Sequence, residues 1–338
     1  MTLAPLVARA RAWCRVDFAG GTLDIWPLGL LHPGAVTVNV AVDCPVCVEL
    51  RRSARGEYSV EQGGSRIAVQ RSQELEERPE TALIGLVART FEMAPFECTV
   101  SSGSPRGGGL GASSALTVAL LRAAELLSGQ KRGSDSSIMA MARDLEAQLM
   151  QLPTGTQDHA AALLGGVVEL SYPPGGPHLR QLGGVDLPSL GDSLVLVYSG
   201  QSHFSAANNW QVVRRRLDGD GETRHAFDGL AETARQVVEA LVENQLADCG
   251  RLMSEEWSFR RRLAEGISTP AVEKLLDVAR SEGAWGGKAC GAGGGGCVAV
   301  LCPPDKKALL ESVYDRLGYR VIRARPTSAP LELGRGSD

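Results

Sequence analysis

The sequence predicts an α+β protein of two lobes, and the order of patterns along the chain is the main reason. Alternating and β-branched segments dominate the first hundred residues, helical periodicity then prevails to about residue 280, and a mixed region completes the 338 residues. With 43% hydrophobic residues, a chain of this length can bury the core of two domains. We expect an N-terminal lobe over residues 1–190 and a C-terminal lobe over residues 191–338.

The N-terminal part begins with strands. The segments AWCRVDFAG, AVTVNVAVD and VCVEL alternate or are β-branched, and turn residues separate them. A helix is expected over TALIGLVARTFEM and a strand over FECTVSS. Because the pattern then changes to a helical period, we expect two successive helices after the strand.

These helices follow a glycine-rich loop. The first is expected near residues 112–127 and the second over residues 136–151. The second helix starts at SDSS, whose side chains are good N-caps, and it ends before Pro153.

The remaining third of the chain mixes both patterns. Strands are expected in GGVVEL and SLVLVYSG, and helices with loops run from about residue 206 to residue 280. A second glycine cluster, GGKACGAGGGGCVAVL, lies between two strand-like pieces. The end predicts a helix and then a strand in KKALLESVYDRLGYRVIRARP, with a frayed tail from Thr327.

Composition argues against several classes of protein. The net charge of −4 provides no overall basic field for nucleic acid or for an anionic membrane. We expect no secretory signal, because the start lacks a basic end, an unbroken apolar block and a small-residue cleavage site, and no apolar segment approaches the roughly 20 residues that a membrane span needs. Eight scattered cysteines are typical of reduced thiols, so we expect a cytoplasmic protein. Cys44 and Cys47 have half-zinc-site spacing, but no second pair follows, and we predict no zinc.

The segment PRGGGLGASSA, residues 105–115, predicts an anion site. Glycines let a ligand approach the backbone, and the start of the next helix presents free N–H groups and the positive end of its dipole. A nucleotide P-loop would carry lysine where Ala112 stands between Gly111 and Ser113. A dinucleotide fingerprint would open a chain-initial βαβ unit, which this loop does not.

Four motifs in this order resemble the GHMP kinase superfamily, named for galactokinase, homoserine kinase, mevalonate kinase and phosphomevalonate kinase. They are RVDFAGGTLD from Arg15 to Asp24, PRGGGLGASSA, LEAQLMQLPTGTQDHAAALLGG and GGKACGAGGGGCV. The resemblance implies two α+β lobes with ATP and substrate in the cleft between them. Phosphoryl transfer then needs charge neutralisation and in-line placement of the acceptor.

The resemblance implies residues for ATP and Mg²⁺. Ser113 and Glu146 would bind the metal, since a hard cation prefers carboxylate and hydroxyl oxygens together with phosphate. The ATP phosphates would be bound by the glycine loop, comprising Pro105, Gly107, Gly108, Gly109, Leu110, Gly111, Ala112, Ser113 and Ser114.

It also implies catalytic and substrate-binding residues. Asp158 would orient or deprotonate the attacking hydroxyl, and Arg15 would keep that carboxylate ionised. Asp24 would accept hydrogen bonds from a sugar diol. The other substrate-binding residues implied are Gly21, Thr22, His203, Gly293 and Gly294. Lys288, beside the third glycine motif, is either a further positive charge for the phosphates or a solvated surface lysine.

Within the superfamily, RVDFAGG, YSGQSHFSAANNW and GGKACGAGGGGC look most like the sugar 1-kinases that include fucokinase and the heptose 7-phosphate kinases. The implied reaction is phosphate transfer from ATP to the anomeric hydroxyl of a small-molecule sugar or sugar phosphate. Related sequences often carry arginine where His203 stands, which leaves heptose phosphate and deoxysugar both open. Three alternatives remain, namely a silent sugar or ATP sensor, a kinase for a non-sugar alcohol, and an ATP-driven decarboxylase.

Overall fold

The computed structural model describes residues 7–202 and 206–336, with the side chains of 206–209 left out. Within these residues the chain forms two sheets and twelve helices, and the expected α+β class is confirmed. The strands are β1 (Val7–Ala19), β2 (Val36–Arg52), β3 (Tyr58–Gln62), β4 (Ser65–Val69), β5 (Phe96–Ser102), β6 (Val167–Ser171), β7 (His178–Gln181), β8 (Leu194–Tyr198), β9 (Gly286–Ala289), β10 (Cys297–Leu301), β11 (Arg320–Val321) and β12 (Glu332–Gly336). The helices are α1 (Leu28–Leu31), α2 (Gln73–Glu76), α3 (Ala82–Thr90), α4 (Ala112–Ser128), α5 (Asp135–Met150), α6 (Gln157–Leu164), α7 (Leu187–Ser193), α8 (Ala206–Leu217), α9 (Gly221–Val242), α10 (Leu246–Arg260), α11 (Pro270–Ser281) and α12 (Pro304–Arg316).

The larger sheet has the strand order β12-β1-β2-β5-β3-β4, with β6 paired to β2 and β7 to β6. Only β3 and β5 run parallel among these described pairs. The long strand β2 unites the two sheet branches, because residues 36–40 pair with β6 and residues 46–52 pair with β5.

The two strands expected over AVTVNVAVD and VCVEL are one strand, β2. The pairing of β2 with β1 shifts between Trp13 and Cys14, whose partners are Pro45 and Val42. The intervening residues form a bulge, a place where proline, which lacks an N–H, is tolerated in a sheet.

The smaller sheet has the order β11-β8-β10-β9, and all of its pairs are antiparallel. Its core contains the buried residues Val195, Phe227 and Val298, together with Leu23 and Ile25 from the turn after β1. The turn after β1 is therefore packed against elements from the second half of the chain.

Helices α4 and α6 pack on β1 and β2 of the larger sheet. Small buried residues such as Ala115, Ala119 and Ala160 allow the helices to approach the strands closely. Among the described residues no helix is long and apolar enough to cross a membrane.

The prediction of a frayed tail from Thr327 was wrong. Residues 332–336 form β12, which pairs with residues 7–11 of β1, and Leu331 is buried in the core. The tail is ordered because it covers the free edge of β1. The predicted lobe boundary at residue 190 falls between β7 of the larger sheet and β8 of the smaller sheet. Strand β12 then returns to the larger sheet.

We predict that Leu331→Ala lowers the free energy of unfolding by roughly 2 to 4 kcal/mol, since it removes a buried side chain from the core. Glu332→Ala is the neighbouring control, because Glu332 makes only an exposed ion pair with Arg11. Urea denaturation of both variants measures the difference. Equal stability of the two variants would mean that the segment does not pack on the sheet.

Candidate active site

The glycine loop connects β5 to α4, and its backbone conformation requires glycine. Gly107, Gly109 and Gly111 have φ values of 65°, 69° and 69°, in the left-handed region that other residues rarely adopt. Gly111 directly precedes α4, and no described side chain caps this helix. The first N–H groups of α4 can therefore bind an anion at the positive end of the helix dipole.

The second glycine cluster lies directly against the first. The N–H of Cys297 donates to the carbonyl oxygen of Gly108 at 2.8 Å. A Cβ on Gly109 would stand 2.7 Å from the carbonyl oxygen of Cys290, and one on Gly296 would stand 3.0 Å from that of Gly108. Because any side chain would force the two backbones apart, this contact explains glycine in both loops.

Gly293 and Gly294, which were expected to contact the substrate, lie against the segment that precedes α11. The N–H of Gly294 donates to the carbonyl oxygen of Ile267 at 2.6 Å. A Cβ on Gly293 would stand 2.5 Å from that same oxygen. The contact fixes the second loop against this segment.

Arg15 of β1 makes a two-pronged ion pair with Asp158 in the first turn of α6. Its Nε lies 2.7 Å from Oδ1 and its Nη2 lies 2.7 Å from Oδ2, while Nη1 donates to the carbonyl oxygen of Gly109 at 2.6 Å. Burial alone would lower the pKa of Arg15, but the Asp158 carboxylate raises it. A Cβ on Gly111 would lie 3.2 Å from Asp158 Oδ2, so the carboxylate is immediately beside the glycine loop.

Glu146 of α5 is buried beside the start of α4. The hydroxyl of Ser114 donates to Oε2 at 3.2 Å, and the hydroxyl of Thr117 donates to Oε1 at 2.8 Å. Burial would raise the pKa of Glu146, but His159 and these hydroxyls lower it. Ser113 is exposed at the start of α4. The arrangement collects oxygen donors of the kind that Mg²⁺ prefers.

Asp24 caps α6 from a distant part of the chain. Its Oδ2 accepts hydrogen bonds from the N–H groups of Thr156 at 2.8 Å and Gln157 at 3.1 Å. A Cβ on Gly155 would stand only 1.7 Å from the same oxygen, so glycine is required there. Burial raises the pKa of Asp24 to about 6, although the N–H of Gln157 lowers it.

A cavity of about 270 Å³ opens beside Asp24. Its walls are mostly apolar and include Trp26, Pro27 and Tyr172, while Arg143 contributes a cationic group. Trp26 is 74% exposed. A concave, largely apolar wall with a few polar groups is typical of small-molecule sites.

Sequence reasoning missed a buried network of charges next to the turn that leads from β1 to Asp24. Nζ of Lys288 lies 3.1 Å from Asp17 Oδ2 and 3.0 Å from Glu256 Oε1, and Glu256 also pairs with Arg260. Lys288 is fully buried, so the alternative of a solvated lysine was wrong. The available signal was Asp17 itself, a charged residue within an apolar strand.

His159 was also missed, and it is fully buried beside Glu146. Its Nε2 lies 3.1 Å from Glu146 Oε2. Burial would lower the pKa of His159, but the Glu146 carboxylate raises it. His203 lies outside the described residues, and its role in substrate binding stays a prediction.

Two family models match the chain. The GHMP kinases N terminal domain matches residues 80–166, and the GHMP kinases C terminal model matches residues 237–320, which together make just over half of the chain. The chain belongs to the GHMP kinase family. Members of this family are ATP-dependent phosphotransferases.

Curated relatives of this GHMP kinase act on different acceptors. It is 28% identical over 318 residues to the bifunctional fucokinase/GDP-fucose pyrophosphorylase of Arabidopsis thaliana, covering 87% of this chain but only 30% of that protein. It is 28% identical to the mevalonate kinase of Methanothermobacter thermautotrophicus, covering 79% of this chain and 83% of the other. It is 24% identical to the D-glycero-alpha-D-manno-heptose 7-phosphate kinase of Campylobacter jejuni, covering 69% of this chain and 70% of the other.

Solved structures establish the same fold. A D-glycero-D-manno-heptose 1-phosphate kinase from Bacteriodes thetaiotaomicron superimposes with a TM-score of 0.78 at 19% identity, covering 98% of this chain and 100% of the other. A galactokinase from Lactococcus lactis complexed with galactose gives a TM-score of 0.74 at 13% identity, covering 96% of this chain and 95% of the other.

We predict that Gly155→Ala displaces the Asp24 carboxylate from α6, because the added methyl would occupy the position of Oδ2. Loss of this cap should lower the free energy of unfolding by roughly 1 kcal/mol or more. Thermal unfolding measures the change, with Gly183→Ala as control, since a Cβ at Gly183 meets nothing within 4 Å. A Gly155→Ala protein as stable as the control would contradict the cap.

Proposed function

We propose that this GHMP kinase transfers the γ-phosphate of ATP to a hydroxyl of a sugar or sugar phosphate. The anomeric C1 hydroxyl of a heptose 7-phosphate or of a fucose-like sugar is the preferred acceptor. The observation that carries this proposal is the position of the Asp158 carboxylate beside the glycine loop, where both of its oxygens lie 2.7 Å from nitrogen atoms of Arg15. The cavity lined by Asp24 is nearby.

The glycine loop would bind the phosphates of ATP through its backbone. The N–H groups at the start of α4 supply donors that cost no reorganisation during the reaction. Glu146 and a hydroxyl of Ser113 or Ser114 fit Mg²⁺, since all are hard oxygen donors near this loop. When bound, Mg²⁺ supplies neutralisation of the phosphate charge.

Asp158 would orient the attacking hydroxyl toward the γ-phosphate. Both of its carboxylate oxygens accept hydrogen bonds from Arg15, so the carboxylate is held in one orientation beside the glycine loop. We therefore assign Asp158 to the positioning of the hydroxyl. Asp24 would accept hydrogen bonds from two neighbouring sugar hydroxyls, a pattern that suits a carboxylate.

A non-sugar alcohol is the second candidate acceptor. The match to the mevalonate kinase of Methanothermobacter thermautotrophicus covers 83% of that protein, so mevalonate, an alcohol that carries a carboxylate, competes with a sugar as the proposed acceptor. The Asp24 carboxylate favours the sugar, because it would repel the carboxylate of mevalonate. Arg143 at the cavity favours an anionic acceptor. Arg143 also donates two hydrogen bonds to Asp144, however, and this negative charge reduces the attraction.

The testing experiment measures ADP release with Mg-ATP and a panel of fucose, galactose, mannose, heptose 7-phosphate and mevalonate. We expect a sugar or sugar phosphate to stimulate turnover, and Asp158→Asn to lower kcat roughly 10²- to 10⁴-fold. Asp277→Asn is the control, because this carboxylate is 64% exposed and pairs with Arg280 on the surface of α11.

Other outcomes of this panel would contradict the proposal. Stimulation by mevalonate alone would identify the second candidate. Tight ATP binding with no stimulated turnover would favour a sensor of the same fold. Release of carbon dioxide from mevalonate-type acids would indicate an ATP-driven decarboxylase.

We predict a pH dependence that comes from Asp24. Burial raises its pKa to about 6, so below this pH the carboxyl is protonated and can no longer accept hydrogen bonds from two hydroxyls. For an uncharged sugar acceptor, kcat/KM should therefore fall as the pH drops below 6, because kcat/KM reports groups of the free enzyme. Asp24→Asn should lose this inflection along with most acceptor affinity. An inflection that persists in Asp24→Asn would assign it to another group.

A further inference from the structure

Thr22, in the turn after β1, has a backbone conformation that its side chain disfavours. Its φ is 78°, which is uncommon for any residue except glycine and a genuine outlier for a β-branched one. Such strain persists only where the surroundings impose it, and it occurs most often at functional sites. The contacts around Thr22 must therefore supply the constraint.

Arg260, the last residue of α10, supplies it. Its Nη1 donates to the Thr22 hydroxyl at 3.2 Å, and its Nη2 donates to the carbonyl oxygen of Gly21 at 2.8 Å. Glu256, one turn earlier on α10, accepts from Nε of Arg260 at 3.0 Å and fixes the direction of the guanidinium. A planar guanidinium can hold two acceptors in one geometry, which a lysine cannot do.

Four buried charges balance one another here. Asp17, Glu256, Arg260 and Lys288 have side chains that are at most 1% exposed. A buried ion pair is weak evidence for stability, because well-packed apolar residues are often at least as stabilising. A role in geometry, rather than in stability alone, would account for these charges.

The turn that Arg260 holds leads directly to Asp24. The N–H of Ile25 donates to the carbonyl oxygen of Thr22 at 3.0 Å, which closes the turn around Leu23 and Asp24. Leu23 and Ile25 are buried in the second core on either side of Asp24. The conformation at Thr22 thus determines where the Asp24 carboxylate stands relative to α6 and the cavity.

We propose that Arg260, aligned by Glu256, is a positioning residue that holds the strained Gly21–Thr22 peptide and so places the Asp24 carboxylate in the acceptor site. Its effect on the acceptor rests on the proposed function, whereas its effect on Asp24 does not. The second half of the chain thereby shapes the acceptor site that the first half provides.

The first experiment needs no substrate. It compares hydrogen exchange at the amides of Thr156 and Gln157, which donate to Asp24, in the wild type and in the double variant Glu256→Gln/Arg260→Met. The double variant removes one buried charge of each sign and leaves Asp17 paired with Lys288. We expect exchange at these two amides to rise at least about tenfold while the rest of α6 is unchanged, as for a local opening.

Two further variants keep the test valid if the double variant folds poorly. Thr22→Val removes only the hydroxyl that Arg260 contacts, and Thr22→Ser keeps it. We expect faster exchange at the two amides in Thr22→Val and wild-type exchange in Thr22→Ser. Arg251→Met is the control on the same helix, since its partner Asp248 is one turn away on the surface.

The second experiment measures kinetics with whichever panel acceptor the wild type phosphorylates. The double variant should raise the KM for this acceptor about tenfold or more, as expected when the displaced Asp24 carboxylate loses a hydrogen bond to the acceptor, with the KM for ATP changed less than about twofold. If no acceptor works with the wild type, the proposed function fails and the exchange experiment still tests the positioning.

Two results would overturn the inference. The first is unchanged exchange at Thr156 and Gln157 in both the double variant and Thr22→Val. The second is a uniform rise in exchange over the chain with equal changes in both KM values, because it would show that the network only stabilises the fold.

Discussion

The contact between Arg15 and Asp158 is the interaction on which the rest of the site depends. One guanidinium joins strand β1, the first turn of α6 and the carbonyl oxygen of Gly109 in the glycine loop. Removing either partner would leave an uncompensated charge beside the loop. The free-energy cost of that unpaired charge is far larger than the net stability that the pair contributes. The pair therefore sets the distance between the Asp158 carboxylate and the loop that would bind phosphate.

Backbone contact is the second constraint, and it explains the two glycine clusters together. Gly108 and Gly109 contact Cys290, Gly296 and Cys297 through main-chain atoms, so neither loop can change shape alone. A ligand that contacts one loop would therefore affect the other. This coupling arises from the absence of side chains, and no ion pair is needed for it.

Much of this arrangement could be predicted from the sequence, because it depends on local patterns. The positive φ values of the first loop follow from its glycines, and the position of Asp158 in the first turn of a helix follows from the preceding turn residues. The family resemblance brought Arg15, Glu146 and Asp158 into one site. The acceptor was not predictable to the same degree, since relatives with similar identity use fucose, heptose phosphate or mevalonate.

What the sequence could not reveal depends on contacts between distant residues. Glu256 and Arg260 are an ordinary i, i+4 pair on a helix, and only tertiary packing turns them from a surface pair into a buried one. The N-cap role of Asp24 was hidden for the same reason, because Thr156 is 132 residues away. The ordered tail was missed because the free edge of β1 cannot be seen in a linear pattern.

The return of β12 to β1 has a consequence for the synthesis of the protein. The strand that carries Arg15 leaves the ribosome long before its edge partner at residues 332–336, since Arg11 of this strand and its partner Glu332 are 321 residues apart. Local helices and hairpins can form during translation, but the long-range pairing that completes the sheet cannot. The edge of β1 is thus open to other chains while the intervening residues are made, and it closes only when residue 336 has emerged.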